Sequence, residues 1–159
     1  MKWVSHQAVT GVLAYAVTSD LLFTAGAIFG AIAPDKIEGK REGLFSIGWR
    51  SRHRGWSHWA VLYVAAFFAL LQYFNIEDVQ GAILNENSPV RLLFAFLFGA
   101  LCHIAEDALC GKVPTVTPNI KWGVRLFKVG SLREYVIVIV IIIAIYLFKN
   151  RTFLSFLFL

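Results

Sequence analysis

The chain has 159 residues, 58% of them hydrophobic and only 16% charged, well below the 25% or so of charged residues in ordinary soluble domains. Its net charge of +5 is gathered into clusters that flank apolar stretches. That arrangement argues against a soluble nucleic-acid binder and for one membrane domain, residues 1–159, with basic loops.

The N-terminal segment has two readings. Lys2, an apolar stretch and Ala14-Tyr15-Ala16 imitate a signal peptide with an A-x-A cleavage site. His6 and Gln7 interrupt the supposed apolar region, which favours a helix of the domain itself. The first apolar stretch, about 7–33, is broken midway by Thr18-Ser19-Asp20. A carboxylate at the bilayer centre costs about 2.5–3.5 kcal/mol on insertion scales. Two short helices, 6–18 and 20–32, joined by a turn capped by Ser19 or Asp20, avoid that cost and bring Asp35 back beside His6. A single long helix would leave those residues about 40 Å apart.

Three further apolar stretches follow, about 59–74, 90–105 and 135–148. Spanning a bilayer takes about 20 residues, with a range of about 17–25, so the middle two need the residues at their ends. The last, YVIVIVIIIAIYLF, is β-branched with no polar face and reads as a helix in lipid. The closing TFLSFLFL reads as interfacial or as a continuation along the membrane. Lys36, Lys40, Arg41, Arg50, Arg52 and Arg54 mark one basic loop, and Lys112, Lys121, Arg125, Lys128 and Arg133 a second. The 75–89 loop holds Glu77, Asp78 and Glu86 without a basic residue, which places the two basic loops in the cytoplasm. Trp3, Trp49, Trp56, Trp59 and Trp122 all fall near that side, as an interfacial aromatic belt does. Cys102 and Cys110 form no CxxC motif and read as reduced thiols.

The predicted architecture is thus an all-α, polytopic membrane helix bundle with an N-terminal re-entrant or paired short-helix hairpin. The hairpin brings all four histidines to the cytoplasmic face: His6, His53, His58 and His103. Asp35 and Glu38 in APDKIEG, and Glu106 and Asp107 in HIAED, accompany them. His103 and Asp107 are four residues apart and share a helix face, whereas Glu106 points elsewhere. Side chains from facing helices build metal sites in bundles in this way. Imidazole and carboxylate together suit zinc, with manganese or iron as alternatives, rather than calcium. The predicted ligands are His6, Asp35, Glu38, His53, His58, His103 and Asp107. The alternative for any one histidine is an interfacial, hydrogen-bonded side chain.

APDKIEG, HRGWSHW and HIAEDALCGKVPTVTP resemble, in this order, the motifs of the YdjM-like family of membrane-bound metal-dependent hydrolases, of the LexA-regulated inner-membrane type. The family pattern is an N-terminal His, a PD-x-x-D/E box, an HRG-x-T/S-H box and an H-x-x-x-D box. His6, Asp35, Glu38, His53, His58, His103 and Asp107 match it one by one, with Glu38 where many relatives have Asp. The resemblance covers about residues 5–136 and extends to GVRLFKVGSLRE, where it implies Glu134 as a further polar contributor. It implies a metal site in the bacterial inner membrane and a hydrolytic activity.

Seven candidate ligands exceed the three protein ligands of a catalytic zinc and would serve one or two ions. An ion that lowers the pKa of its water to about 7 makes a nucleophile at neutral pH. Glu38 or Glu106 is then the candidate general base, and Arg54, near Arg52, the candidate holder of an anionic group. Position at the membrane face points to a phosphoester or lipid-linked substrate. The alternatives are a non-enzymatic membrane interaction module with a structural metal, and a metal or proton transporter. Transport needs polar groups at depth, where Asp20 stands alone. No nucleic-acid fold motif occurs, so no specific nucleic-acid binding is expected.

Overall fold

The computed structural model describes residues 1–39, 54–73 and 89–150. These residues are mostly helical. In chain order they form α1 (Trp3–Thr18), α2 (Leu21–Gly30), α3 (Ala33–Glu38), a 3-10 turn (Trp56–His58), α4 (Ala60–Tyr73), α5 (Pro89–Cys110) and α6 (Leu132–Lys149). Against the all-α expectation, Val113–Pro114 (β1) and Lys121–Trp122 (β2) pair as a small antiparallel ribbon. The ribbon folds where α5 has ended at Gly111 and the Thr115–Ile120 backbone closes a loop on itself through Thr115 N to Ile120 O, 2.9 Å.

The break at Ser19-Asp20 makes the hairpin. Ser19 takes a left-handed backbone (φ 54°) and donates its N–H to Tyr15 O. The Asp20 carboxylate accepts from Leu22 N at 2.7 Å and Phe23 N at 3.0 Å, capping α2, and pairs with Arg91 at the start of α5. Capped and paired, the charge is never left alone in an apolar surround. Pro34 begins α3 and Gly39, at φ 83°, follows its end.

The helix α2 lies directly on the backbone of α5. A Cβ added at Gly30 would lie 2.0 Å from Phe96 O, and one at Gly99 would lie 1.9 Å from Ala27 O. Gly26 and Gly30 on α2, with Ala95 and Gly99 on α5, are small residues four apart that let two helices approach closely. On the other side of α5, Tyr63 of α4 packs with Leu97, Ala100, Ile104 and Val113. The helix α6 joins α1 through a cluster of Met1, Val9, Phe127 and Val138. Glu134 fastens the two helix starts: its carboxylate accepts from Lys2 N (2.7 Å), Ser5 Oγ (2.7 Å) and Gly130 N (2.6 Å). At the far end, the Lys149 ammonium donates to Tyr15 O and Ser19 Oγ, both at 3.1 Å. Thus the hairpin tip, the start of α5 and the end of α6 meet at one end. The starts of α1 and α6 and the end of α5 meet at the other.

By length and composition, one described helix, α5, can cross a membrane, and α4 is apolar but shorter. At 22 residues α5 is about 33 Å long, against a hydrocarbon core of about 30 Å. The helix α6 has 18 residues but includes Arg133, Glu134 and Lys149 near its ends.

Candidate metal centre

Four donors from three elements converge at the end of α5. Asp35 from α3, His58 from the 3-10 turn, and His103 and Asp107 from α5 each offer a ligand atom, all within 4.8 Å of one another. The Nε2 atoms of His58 and His103 face each other at 3.2 Å. Asp35 Oδ1 lies 3.3 Å from His58 Nε2 and 3.7 Å from His103 Nε2. Asp107 Oδ2 lies 3.5 Å and 3.8 Å from the same two nitrogens.

Packing dictates this arrangement. Because α2 touches the α5 backbone through Gly30 and Gly99, the Ala31 carbonyl reaches His103 Nδ1 at 2.6 Å. A carbonyl only accepts, so His103 donates from Nδ1 and turns the lone pair of Nε2 into the cluster. His58 makes its own contact behind the ring, Nδ1 to Ser57 Oγ at 3.0 Å. Asp35 is steadied by the Trp3 indole, which donates to Oδ2 at 2.8 Å. Burial alone would raise the Asp35 carboxyl, but the hydrogen bonds from His58 and the Trp3 indole help hold it at about 2. Burial pulls His58 down, yet hydrogen bonds to Asp107 and Asp35 raise it above the usual imidazole value.

The donor set fits a divalent transition ion. Two imidazole nitrogens and two carboxylate oxygens are zinc-type donors, and two nitrogens at 3.2 Å need a proton or a cation between them. Ligand atoms on a tetrahedral zinc stand about 3.3 Å apart for bonds of about 2.0–2.1 Å. The separations that involve a histidine nitrogen, 3.2–3.8 Å, bracket that value.

His6 stands beside the four rather than among them. Its ring stacks on His103 with centroids 3.9 Å apart, Nδ1 meets Glu106 Oε2 at 2.6 Å, and Nε2 lies 3.4 Å from Asp107 Oδ1. Glu106 faces α1, as its position one residue before Asp107 implied, and its second oxygen accepts from Thr10 Oγ1 at 3.0 Å. Both its oxygens are therefore engaged away from the four donors. Arg54, in a left-handed backbone (φ 55°), lays Nε 2.8 Å from Asp107 Oδ2 and Nη2 3.2 Å from Cys110 Sγ. Gly111 makes room for it, since a Cβ there would lie 1.8 Å from Arg54 Nη1. Glu38, one turn after Asp35, is outside the four-donor group and lines a neighbouring cleft of about 510 Å³ with Trp56, Ser57, Asn119 and Lys121. Glu134 serves the α1–α6 junction and does not enter the group. His53, Arg52, the acidic 75–88 segment and TFLSFLFL lie outside the described residues.

Several further groups take part, most of them without a motif that marks them in the sequence. The Met1 amine donates to Asp107 Oδ1 at 2.5 Å and lies 3.3 Å from Cys110 Sγ. Trp3, Ser57 and the Ala31 carbonyl support Asp35, His58 and His103 from behind, and Thr10 holds Glu106. For the carbonyl a signal existed: Gly26-x-x-x-Gly30, with Ala95 and Gly99 four apart on α5 ahead of His103, marks two helices in backbone contact.

A family model described as YdjM inner membrane protein matches residues 1–159, and the chain belongs to that family. No curated protein and no solved structure matches.

Proposed function

We propose that this member of the YdjM inner membrane protein family is a metal-dependent hydrolase embedded in the membrane, acting on a phosphoester or lipid-linked substrate at the cytoplasmic face. The observation that carries this reading is the convergence of Asp35, His58, His103 and Asp107 on one buried point. Buried carboxylates and imidazoles from four chain positions are costly to assemble unless a cation holds them together.

These four residues would hold the ion, zinc before manganese or iron by donor chemistry, and one ion accounts for them. A bound ion would supply Lewis acidity and lower the pKa of coordinated water. Ala31 fixes the tautomer of His103, and Glu106 fixes that of His6, which backs the His103 ring and leaves Nε2 toward Asp107. Glu38, at the cleft wall one turn from Asp35, is the better-placed general base, because Glu106 is committed to His6 and Thr10. Arg54 is a positioning residue that holds Asp107 and lies ready to meet an anionic group.

A multi-pass topology is supported by the antiparallel helices and by charge. Among the described residues, Lys2, Lys36, Arg54, Lys112, Lys121, Arg125, Lys128 and Arg133 belong to the metal-site end, against Arg91 and Lys149 at the other. An excess of this kind marks the cytoplasmic side. One observation favours the alternative, a non-enzymatic module: four donors are the number of a closed structural site. Access speaks for catalysis, because the Asp35 side chain is 20% exposed while those of His58 and His103 are at 0%.

The test is elemental analysis of detergent-purified protein beside His103→Ala and Asp107→Ala, followed by phosphoester hydrolysis with and without Glu38→Gln. About one equivalent of a transition metal, lost in both variants, together with hydrolysis that Glu38→Gln abolishes, is expected. Metal retained by both variants would overturn the ligand assignment. Metal lost but no hydrolysis of any phosphoester would leave the structural-metal module ahead.

A further inference from the structure

Residues 111–131 connect α5 to α6 and behave unlike an ordinary surface loop. Several of their backbone groups bond to the protein itself. Val124 N donates to Ala108 O at 2.8 Å and Leu126 N to Leu109 O at 2.7 Å, so the strap closes the open carbonyls at the end of α5. Thr115 O accepts from the Trp59 indole at 2.9 Å. Val113, Pro114 and Phe127 point inward and are buried, anchoring the strap at two places.

The other large apolar side chains of the strap point out. Val116 is 76% exposed and Trp122 62%, with Ile120, Val124, Leu126 and Val129 also exposed. Lone exposed apolar residues are ordinary, but six within fourteen positions on an anchored strap form a surface that water does not favour. Between and around them stand Lys112, Lys121, Arg125, Lys128 and Arg133, with no acidic residue from Ala108 to Arg133. Five cations here equal the net charge of the whole chain, +5. Apolar groups with a tryptophan, interleaved with cations, match the acyl–headgroup boundary of an anionic bilayer in both polarity and sign.

We infer that the 111–131 strap lies in the headgroup layer and binds anionic phospholipid, holding the metal-site end of the protein at the depth of lipid phosphates. This deepens the proposed function and rests on its membrane-spanning reading. It identifies the substrate as one whose phosphoester sits at the bilayer surface, because the strap that closes α5 follows directly from the helix bearing His103 and Asp107. A soluble phosphoester would gain nothing from a site held there.

The test uses the full chain reconstituted in phosphatidylcholine vesicles, with and without phosphatidylglycerol, brominated either near the headgroup or deep in the acyl chains. The difference in fluorescence between the wild type and Trp122→Phe isolates Trp122. Its emission should lose more than half its intensity to shallow bromines, less to deep ones, and little to aqueous iodide. Emission quenched by iodide and untouched by bromolipid would overturn the inference by putting the strap in water. So would shielding from both that depends on protein concentration, which would mean a second copy covers the strap. Independently, the triple variant Lys121→Gln, Arg125→Gln, Lys128→Gln should lower the preference for spin-labelled phosphatidylglycerol over phosphatidylcholine by at least about fivefold, roughly the effect of a single surface cation. An unchanged preference would sink the electrostatic half. Metal content measured on the same samples reports the metal centre separately, so failure of the strap and failure of the metal reading are distinguishable.

Discussion

Gly99→Ala tests whether helix packing, and not ligand identity alone, makes the candidate metal centre. The added methyl would fall 1.9 Å from Ala27 O, where ordinary contact begins near 3.4 Å, so the two backbones must part locally by about 1.5 Å. Overpacking of this kind costs about 1–3 kcal/mol of stability. The same displacement carries Ala31 O, now 2.6 Å from His103 Nδ1, out of hydrogen-bonding reach. Losing such a contact behind a metal-bound histidine typically weakens metal binding about 10–100-fold. Competition against a chromogenic chelator in detergent measures the affinity, and thermal melting of the same sample the stability. Leu93→Ala, on an exposed position of α5, is the control and should leave the affinity unchanged. If Gly99→Ala melts lower yet binds metal as tightly as the wild type, the Ala31–His103 contact does not present the ligand. If neither quantity moves, α2 and α5 do not approach as described.

Asp20→Asn should destabilise the protein by about 3 kcal/mol or more, since Asn can still cap α2 but strands Arg91 nearly buried without its charged partner. Adding Arg91→Leu should recover most of that loss in a melting cycle, and no recovery would refute the pairing. Glu134→Gln should cost about 1–3 kcal/mol, because an amide placed against Lys2 N, Ser5 Oγ and Gly130 N cannot accept from all three, while metal stoichiometry stays at the wild-type value. Bound metal should be retained at neutral pH and released in acid, at a pH below the free imidazole value of about 6.5, because protons must displace the ion from the ligand nitrogens. Elemental analysis after dialysis at stepped pH reads the release, and metal kept down through the carboxylate range would count against His58 and His103 as ligands.

Much of the arrangement was legible in residue order because its causes are local. Asp20 inside an apolar run demanded a turn, and capping chemistry supplied one, so the hairpin and the return of Asp35 toward the start of α1 followed from the cost of an isolated charge. The i, i+4 spacing of His103 and Asp107 put both on one face of α5 and turned Glu106 away. What spacing could not distinguish was the ring of candidates from the group that meets. His6 lies at the right level yet stacks behind His103, and Glu38 lies one turn past Asp35 on the cleft wall.

By itself the sequence determined the apolar helices, the turn at Asp20, the basic end and the residue types of the candidate metal centre, because hydropathy, capping and charge act over a few residues. Only the tertiary structure decided which donors share a point, and how each is aimed. That depends on the distance between helix axes, which Gly30 and Gly99 reduce until the Ala31 carbonyl meets His103, and such a distance is a property of two surfaces brought together from separate parts of the chain.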